Sequence, residues 1–253
     1  MNFSLEDKVA LVTGGSRGIG RAIALGFAKA GADVVVTSRS LPDLEKVAEE
    51  IKKLGRDSLA IEAHIGRMED INHLVTKLSE KFGRIDILAN NAATTPAMTP
   101  ILDADERLWN SIMNLNLKGL FFLSQAVARV MKEKGGGKII NVSSMDAFRP
   151  DYNIGIYAIS KAGVIMATKV MAKEWAQYNI RVNAIAPGHV HTRMSDSFFT
   201  YVPEIKEEVL KKTPLRRIAE PDEIVGTMIF LASDASSFVT GETIIVDGGI
   251  LLT

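Results

Sequence analysis

The sequence predicts a single α/β domain in which a parallel sheet of about seven strands is doubly wound, with helices on both faces. Short apolar runs rich in valine and isoleucine alternate along the chain with longer segments of helical periodicity. These runs are apolar almost without interruption, which is typical of strands covered on both faces. The 253 residues contain no internal repeat, linker or low-complexity tract. We therefore expect residues 1–253 to form one domain.

The predicted strands and helices alternate regularly. The apolar runs place strands at 8–14, 33–38, 58–65, 85–92, 137–144, 180–188 and 242–249. Helical segments lie at 21–31, 41–55 and 68–83, and two long ones precede the fifth and sixth strands. The second helix has Pro42 in its first turn and Gly55 at its end, which are favoured start and stop residues. Ligands of such a sheet bind beyond the carboxyl ends of the strands, where the motifs below lie.

Composition excludes several classes of function. Lys+Arg and Asp+Glu are both 30, so there is no basic excess to favour nucleic acid or an anionic membrane as partner. The chain has no cysteines, which excludes disulfides and cysteine–zinc sites. Its start, MNFSLEDKVALVTGG, lacks the pattern of a secretory signal, and no apolar run approaches the ~18 residues of a membrane span. We expect a soluble, cytoplasmic protein.

A glycine-rich segment, TGGSRGIG at 13–20, separates the first predicted strand from the first predicted helix. Glycine permits a tight turn and lets backbone N–H groups approach a pyrophosphate at the start of the helix. The pattern alone would also suit a flexible surface turn, but its place between strand and helix favours a dinucleotide-binding loop. The candidate cofactor contacts in this loop are Gly14, Ser16, Arg17, Gly18, Ile19 and Gly20.

The end of the second predicted strand, VVVTSRS, indicates which dinucleotide is bound. An acidic residue here would bind the ribose 2′-hydroxyl and repel a 2′-phosphate. Ser38 and Arg39 hold the place instead, and Arg17 can face the same phosphate. Two guanidinium groups and a hydroxyl suit a dianionic phosphate. We therefore expect NADP(H), with NAD(H) as the alternative.

Six motifs in a fixed order resemble the short-chain dehydrogenase/reductase family. They are the glycine loop, NNAA (90–93), NLKG (116–119), NVSS (141–144), YAISK (157–161) and PGHVHT (187–192). The resemblance runs from about residue 6 to the C-terminus. It implies a Rossmann-fold enzyme, similar to carbonyl reductases, that transfers a hydride between NADP(H) and a carbonyl or secondary alcohol. It also implies a homotetramer or homodimer.

The pentapeptide YAISK places a phenol and an ammonium group one above the other on a helix, because residues four apart share a face. A phenol of pKa about 10 exchanges protons slowly at neutral pH, and a nearby ammonium lowers that value. The resemblance makes Tyr157 the general acid/base and Lys161 its partner. Both residues are also expected to contact the cofactor.

The resemblance supplies two further catalytic residues. Ser144, thirteen residues before the tyrosine, would hold the carbonyl oxygen, and Ser143 is the less favoured choice. Asn116, which opens NLKG, would position a water that relays protons to the lysine, with Asn114 as the neighbour to exclude.

Further cofactor contacts follow from the resemblance. Asn91 matches a position that approaches the cofactor, and Val190 and Thr192 match positions at the carboxamide. Asn91 could instead tie strands together, and Val190 could simply pack. His64 stands where an aspartate is common near the adenine, so His64 and Ile65 are candidates on that side.

Two groups of residues bear on metal and substrate. His189 and His191 form an H-x-H pair with no third ligand of His or Cys type nearby, so no metal site is expected, and His191 is expected to border the substrate. Residues 191–214 are expected to form a lid. An apolar substrate wall is predicted from Phe148, Tyr152, Phe198, Phe199, Tyr201 and Val202.

Two alternatives stay open. The first is a 3-oxoacyl-thioester reductase, yet Gly135 and Tyr178 stand where relatives that bind an acidic carrier protein have arginines. The second is a dinucleotide-binding sensor without activity, which would typically have lost Ser144, Tyr157 or Lys161. NADPH as cofactor would make reduction the direction in cells.

Overall fold

The computed structural model describes residues 3–193, 195, 196, 199 and 203–253. Its centre is a parallel sheet with the strand order β3-β2-β1-β4-β5-β6-β7. The strands are β1 (Val9–Thr13), β2 (Asp33–Ser38), β3 (Ser58–Glu62), β4 (Ile87–Asn90), β5 (Gly137–Val142), β6 (Ile180–Pro187) and β7 (Thr243–Val246). The prediction of a doubly wound parallel sheet of about seven strands is confirmed.

Helices cover both faces of the sheet. They are α1 (Gly18–Lys29), α2 (Leu41–Lys53), α3 (Met68–Phe82), α4 (Glu106–Met113), α5 (Leu120–Glu133), α6 (Gly155–Trp175), α7 (Pro203–Lys212) and α8 (Asp222–Ala232). Helix α1 begins at Gly18, earlier than the predicted residue 21, because the glycine loop leads directly into the first helical turn. A π-helical segment, Asn114–Gly119, joins α4 to α5.

Alternation along the strands builds two apolar cores. On β1, Ala10 and Val12 pack in the layer of α1, α2 and α8, whereas Val9 and Leu11 pack in the layer of α3, α5 and α6. All four side chains are buried, which accounts for the uninterrupted apolar character of the strand. A third, smaller cluster joins Met145 to apolar residues of α7 and the C-terminus.

The strand order reverses direction between β1 and β4, since β1 pairs with β2 on one side and with β4 on the other. Parallel sheets bind ligands at this switch, beyond the carboxyl ends of the strands. The glycine loop follows β1 at this point, and the segments after β4, β5 and β6 converge on it. Among the described residues, no helix is long and apolar enough to cross a membrane.

Candidate active site

A cleft of about 1010 Å³ opens beyond the carboxyl ends of the strands on both sides of the switch. Three of the four predicted catalytic residues line it, and Asn116 lies behind it. All predicted cofactor contacts line it as well: Gly14, Ser16, Arg17, Gly18, Ile19, Gly20, Ser38, Arg39, His64, Ile65, Asn91, Tyr157, Lys161, Val190 and Thr192. The sheet therefore brings together residues that lie up to 178 positions apart, from Gly14 to Thr192.

The backbone of the glycine loop adopts conformations and makes close contacts that leave no room for side chains. Gly14 and Gly18 have φ of +65° and +53°, in the left-handed region that favours glycine. A Cβ on Gly20 would lie 2.1 Å from the carbonyl oxygen of Gly14. The first helical turn and the end of β1 consequently approach as closely as a pyrophosphate-binding loop requires.

Asn91 supports this loop from the end of β4. Its Nδ2 donates to the carbonyl oxygen of Thr13 at 3.0 Å, and its backbone N–H donates to Thr13 Oγ1 at 2.9 Å. The same Nδ2 lies 3.4 Å from the carbonyl oxygen of Gly14. Its amide nitrogen is thus used to tie β1 to β4, which is the structural alternative considered for this residue.

At the far end of the cleft, Arg17 and Arg39 are exposed, and in the described part of the chain neither forms an ion pair. The nearby acid, Asp43, is already engaged, since it accepts the Ser40 hydroxyl at 2.9 Å and pairs with Lys46 at 3.2 Å. Two guanidinium groups beside Ser38 therefore form a cationic corner without a bound counter-charge. This corner suits a phosphate.

His64 lines the cleft, and the orientation of its ring is held by local hydrogen bonds. Its Nδ1 accepts a hydrogen bond from the Gly66 N–H at 3.1 Å, so in the neutral ring the proton is on Nε2. Its own backbone N–H donates to Asp70 Oδ2 at 2.7 Å. His64 can accordingly present one N–H donor to a base.

The segment after β6 is held by a hydrogen-bonded turn. Ser195 Oγ donates to the carbonyl oxygen of Val190 at 2.5 Å and lies 3.1 Å from Thr192 Oγ1. Val190 is buried and pairs with Ala219 in an isolated bridge. Thr192 therefore borders the cleft from a rigid position, opposite Gly18 of the glycine loop.

Helix α6 presents Tyr157 and Lys161 on one face. The Lys161 ammonium lies 5.6 Å from the centroid of the Tyr157 ring and donates to the carbonyl oxygen of Val142 at 2.7 Å. The Ser143 hydroxyl donates to the Lys161 carbonyl at 2.9 Å, which ties α6 to the end of β5. Ser144, and not Ser143, is consequently the serine whose hydroxyl remains on the cleft side.

The electrostatics of this pair differ from the prediction. Burial raises the pKa of Tyr157 well above its ordinary value, and the Asp146 carboxylate raises it further. Burial lowers the pKa of Lys161 to about 8, although Asp146 opposes that change. The predicted lowering of the phenol pKa by Lys161 is therefore wrong in this arrangement, because burial and Asp146 raise the pKa and the opposing effect comes from a hydrogen bond with Ser144.

Asn116 lies in the π-helical segment and is 1% exposed. Its Oδ1 accepts the Thr94 N–H at 2.8 Å, and its Nδ2 donates to the Thr94 carbonyl at 3.0 Å and to Ser160 Oγ at 3.1 Å. The side chain thus joins the loop after β4 to the helix of the tyrosine. In these contacts it is a positioning residue, and its predicted part in a proton relay stays a prediction.

Comparison with known proteins decides the family. The family model described as Enoyl-(Acyl carrier protein) reductase matches residues 14–251. The chain is 41% identical over 250 residues to the 2-dehydro-3-deoxy-D-gluconate 5-dehydrogenase of Escherichia coli (strain K12), covering 98% of this chain and 97% of the relative. It belongs to the short-chain dehydrogenase/reductase family. The prediction of an oxidoreductase of this family is confirmed.

Two further members of the family resemble this one closely. The 3-oxoacyl-[acyl-carrier-protein] reductase FabG of Thermotoga maritima is 40% identical over 249 residues, covering 98% of this chain and 99% of the relative. The solved gluconate 5-dehydrogenase of Burkholderia cenocepacia J2315, in complex with NADP and tartrate, is 35% identical with a TM-score of 0.95, covering 100% of this chain and 98% of that chain.

This member of the short-chain dehydrogenase/reductase family has an acidic residue in the cleft that the motifs do not indicate. Asp146 lines the cleft, and its Oδ2 accepts the Ser144 hydroxyl at 2.8 Å. Burial raises the pKa of Asp146, while the hydrogen bond from Ser144 opposes the rise. The sequence signal that could have revealed it is an aspartate two residues after the serine, in the apolar setting of SSMDAF.

The two histidines after β6 have separate surroundings. His189 packs against Phe199 with 5.7 Å between ring centroids, and burial lowers the pKa of its imidazole. His191 Nδ1 lies 2.9 Å from Asp196 Oδ1. Within the described ranges, no three His, Cys, Asp or Glu side chains are grouped as a metal site.

The predicted apolar wall is only partly as expected. Tyr152 lines the cleft, but Phe148 is exposed outside its lining, and Phe199 is buried in the cluster of Met145 and α7. That part of the prediction is wrong because Phe199 packs with Met145 and with apolar residues of α7 and the C-terminus. The other members of the predicted wall, Phe198, Tyr201 and Val202, lie outside the described residues.

Proposed function

We propose that this protein interconverts a carbonyl group and a secondary alcohol with NADP(H) as cofactor. The observation that carries the proposal is the convergence of Ser144, Tyr157 and Lys161 on a cleft whose other end holds the glycine loop and two arginines that form no ion pair with the described residues. When bound, NADPH supplies the hydride for the carbonyl carbon. The side chains of this chain must supply the proton and hold the substrate oxygen.

The residues fit a dinucleotide at three places. The close approach of Gly20 to the Gly14 carbonyl leaves room for a pyrophosphate at the N-terminus of α1. Lys161 and Tyr157 lie at the reacting end, and His64 at the adenine end. Arg17 and Arg39, with Ser38, suit a 2′-phosphate, which favours NADP(H) over NAD(H).

Tyr157 is the proposed proton donor in reduction. Its raised pKa keeps the phenol protonated at neutral pH, so the proton leaves only when the strongly basic alkoxide develops on the substrate oxygen. Ser144 holds that oxygen from the other side. Lys161, with a pKa of about 8, is mostly protonated at neutral pH and places its charge over the phenol ring. Asn116 holds the loop and helix that frame these groups.

Reduction of the 3-oxo group of a carrier-protein thioester is the rival proposal, since one relative is named for that reaction and the description of the family model also names an acyl carrier protein. Two features oppose it here. Gly135 has φ of +87°, where an arginine would be strained. Tyr178 stands at the second of the two arginine positions, and although the Lys132 ammonium lies 4.3 Å from the centroid of its ring, this single lysine compensates only partly for two missing arginines. A sensor without catalysis is opposed by the intact set of Ser144, Tyr157 and Lys161.

We further propose a cytoplasmic homo-oligomer, a tetramer or dimer. Support comes from apolar side chains left exposed on the long helices that relatives use for association. Trp109 is 41%, Met166 60% and Val170 43% exposed. An apolar surface of this kind favours a partner.

The test is turnover by the purified enzyme with NADPH and a panel of ketones, diketones, keto-sugars and 3-oxoacyl-thioesters. We expect Tyr157→Phe to lower kcat by about 10²-fold or more, the usual contribution of a general acid. Tyr178→Phe, which removes a phenol far from the cleft, is the matched control. Full activity in Tyr157→Phe would refute the assignment. Tight NADPH binding without turnover in either direction would favour the sensor.

A further inference from the structure

An acidic side chain lies beside the proposed reacting centre of the cleft. Asp146 belongs to a one-turn helix, Met145–Ala147, which directly follows Ser144 at the end of β5. Its carboxylate accepts the Ser144 hydroxyl at 2.8 Å, and its backbone N–H donates to the same oxygen at 3.2 Å. The carboxylate is therefore in contact with the group expected to hold the substrate oxygen.

Within the described part of the chain no cation forms an ion pair with this carboxylate, although the charges of Lys161 and Arg149 act to lower its pKa. Lys161 gives its hydrogen bond to the Val142 carbonyl, and Arg149 gives one to the Thr253 carbonyl. Asp151, on the rim of the same cleft, adds a second negative charge. Of the two carboxylate oxygens, only Oδ2 accepts a hydrogen bond from the described residues. A largely buried carboxylate with spare acceptor capacity favours a ligand that brings a donor.

The contact with Asp146 also affects how the Ser144 hydroxyl can hydrogen-bond a substrate. A serine hydroxyl has one proton, and Ser144 has two competing acceptors, the Asp146 carboxylate at 2.8 Å and the Tyr157 oxygen, whose pKa a hydrogen bond from Ser144 lowers. A substrate that brings its own hydroxyl to Asp146 would replace Ser144 as donor and release its proton for the carbonyl oxygen. The two oxygens of an α-hydroxyketone are separated by about a hydrogen-bond distance, which matches the spacing of the Ser144 and Asp146 oxygens.

We infer that Asp146 determines substrate specificity by accepting a hydrogen bond from a hydroxyl on the carbon next to the reacting carbonyl. The substrates are α-hydroxyketones and the corresponding vicinal diols. Substrates with a carboxylate at that carbon are disfavoured, because two negative charges would be forced together in a partly buried cleft. The inference rests on the proposed function and names its substrate class.

The experiment compares acetoin with 2-butanone, which differ only in the neighbouring hydroxyl. Values of kcat/KM are measured with NADPH for the wild type, Asp146→Asn and Asp146→Ala. We expect the wild type to have a higher kcat/KM for acetoin than for 2-butanone. The ratio of these two values should fall about 10-fold or more in Asp146→Ala, the loss typical of a hydrogen bond to a charged group. Asp146→Asn is expected to lie between, because its amide oxygen still accepts.

The ratio of kcat/KM for acetoin to kcat/KM for 2-butanone separates a role of Asp146 in substrate specificity from a general loss of activity. If Asp146 only positions Ser144, both substrates slow equally, the ratio is unchanged, and the inference is overturned. Asp151→Asn removes the same charge from the rim and is expected to leave the ratio within about twofold. NADPH fluorescence titration verifies that each variant is folded. NADPH binding without turnover of any ketone by the wild type would overturn the proposed function itself, and the inference with it.

A second pair of substrates tests charge. An α-aminoketone brings an ammonium donor, and pyruvate brings a carboxylate, to the same place. We expect the wild type to accept the aminoketone and to reject pyruvate relative to acetoin, and Asp146→Asn to reduce both differences. Efficient pyruvate reduction by the wild type, unchanged in Asp146→Asn, would contradict the inference.

Discussion

Removing the two unpaired arginines is expected to abolish the preference for NADPH. Arg17 and Arg39 are both exposed at the cleft edge, so the charge-assisted hydrogen bonds that each could give a phosphate are screened by solvent. We assign about 1 kcal/mol to each arginine for this reason, at the upper end for exposed pairs. Since about 1.4 kcal/mol corresponds to a tenfold change in affinity, Arg17→Ala/Arg39→Ala should weaken NADPH binding roughly 30-fold.

The assay is titration of nicotinamide fluorescence with NADPH and with NADH, in the wild type, both single variants and the double variant. The Kd for NADH should change little, because it has no 2′-phosphate. Higher salt should narrow the difference between the cofactors in the wild type, since exposed charges are screened. Arg21→Ala is the matched control, because Arg21 pairs with Glu50 at 2.5 Å and does not line the cleft.

Two results would refute this reasoning. Equal weakening of NADPH and NADH would mean that the arginines act on the loop or on the shared part of the cofactor. A wild type that prefers NADH would mean that Ser38 does not mark a 2′-phosphate site. Either result would leave the proposed roles of Tyr157 and Ser144 intact, because they do not depend on the choice of dinucleotide.

Three other predictions follow from the contacts. Gly20→Ala should weaken NADPH and NADH equally and lower Tm, since its Cβ would lie 2.1 Å from a backbone oxygen; unchanged binding of both would contradict the close approach. Asn116→Ala should reduce the free energy of unfolding, measured by urea titration, by about 1–3 kcal/mol, because it removes the Asn116 hydrogen bonds to the N–H and carbonyl of Thr94. A loss of kcat with unchanged stability would argue against this positioning role. Lys161 has a folded pKa of about 8, below its unfolded value of 10.5, so the unfolded chain holds the extra proton between these values. The free energy of unfolding of the wild type, measured by urea denaturation relative to Lys161→Met, should therefore rise as the pH goes from about 8 to about 10.5, and a fall over that range would contradict the argued effect of burial.

Much of the fold was predictable because its physical basis is local. Strands buried on both faces are apolar along most of their length, as residues 9–12 and 34–36 are, and the helices between them are predicted from the helical spacing of their apolar residues. The cofactor end was predictable for a similar reason. A backbone that must approach a pyrophosphate needs glycine at Gly14 and Gly20, and a missing acid after β2 leaves room for a phosphate.

The sequence could not assign roles that depend on what surrounds a side chain. The spacing of Tyr157 and Lys161 predicted a lowered phenol pKa, but burial and Asp146 raise it. Asn91 lines the cleft, yet its amide nitrogen donates a hydrogen bond to the Thr13 carbonyl and so joins β4 to β1. The sequence predicted that Phe199 forms part of an apolar substrate wall, but its side chain is packed in the small core cluster that contains Met145.

The sequence by itself determined the parallel doubly wound sheet and the family, because periodicity, glycine spacing and motif order are properties of the chain. Only the tertiary structure decided the environment of each group. Asp146 is one of 30 acidic residues in the sequence, and its significance arises from a hydroxyl 2.8 Å away in a cleft without a pairing cation among the described residues. The pKa values and hydrogen bonds of these groups depend on distances, burial and neighbouring charges, and these arise only when the chain folds.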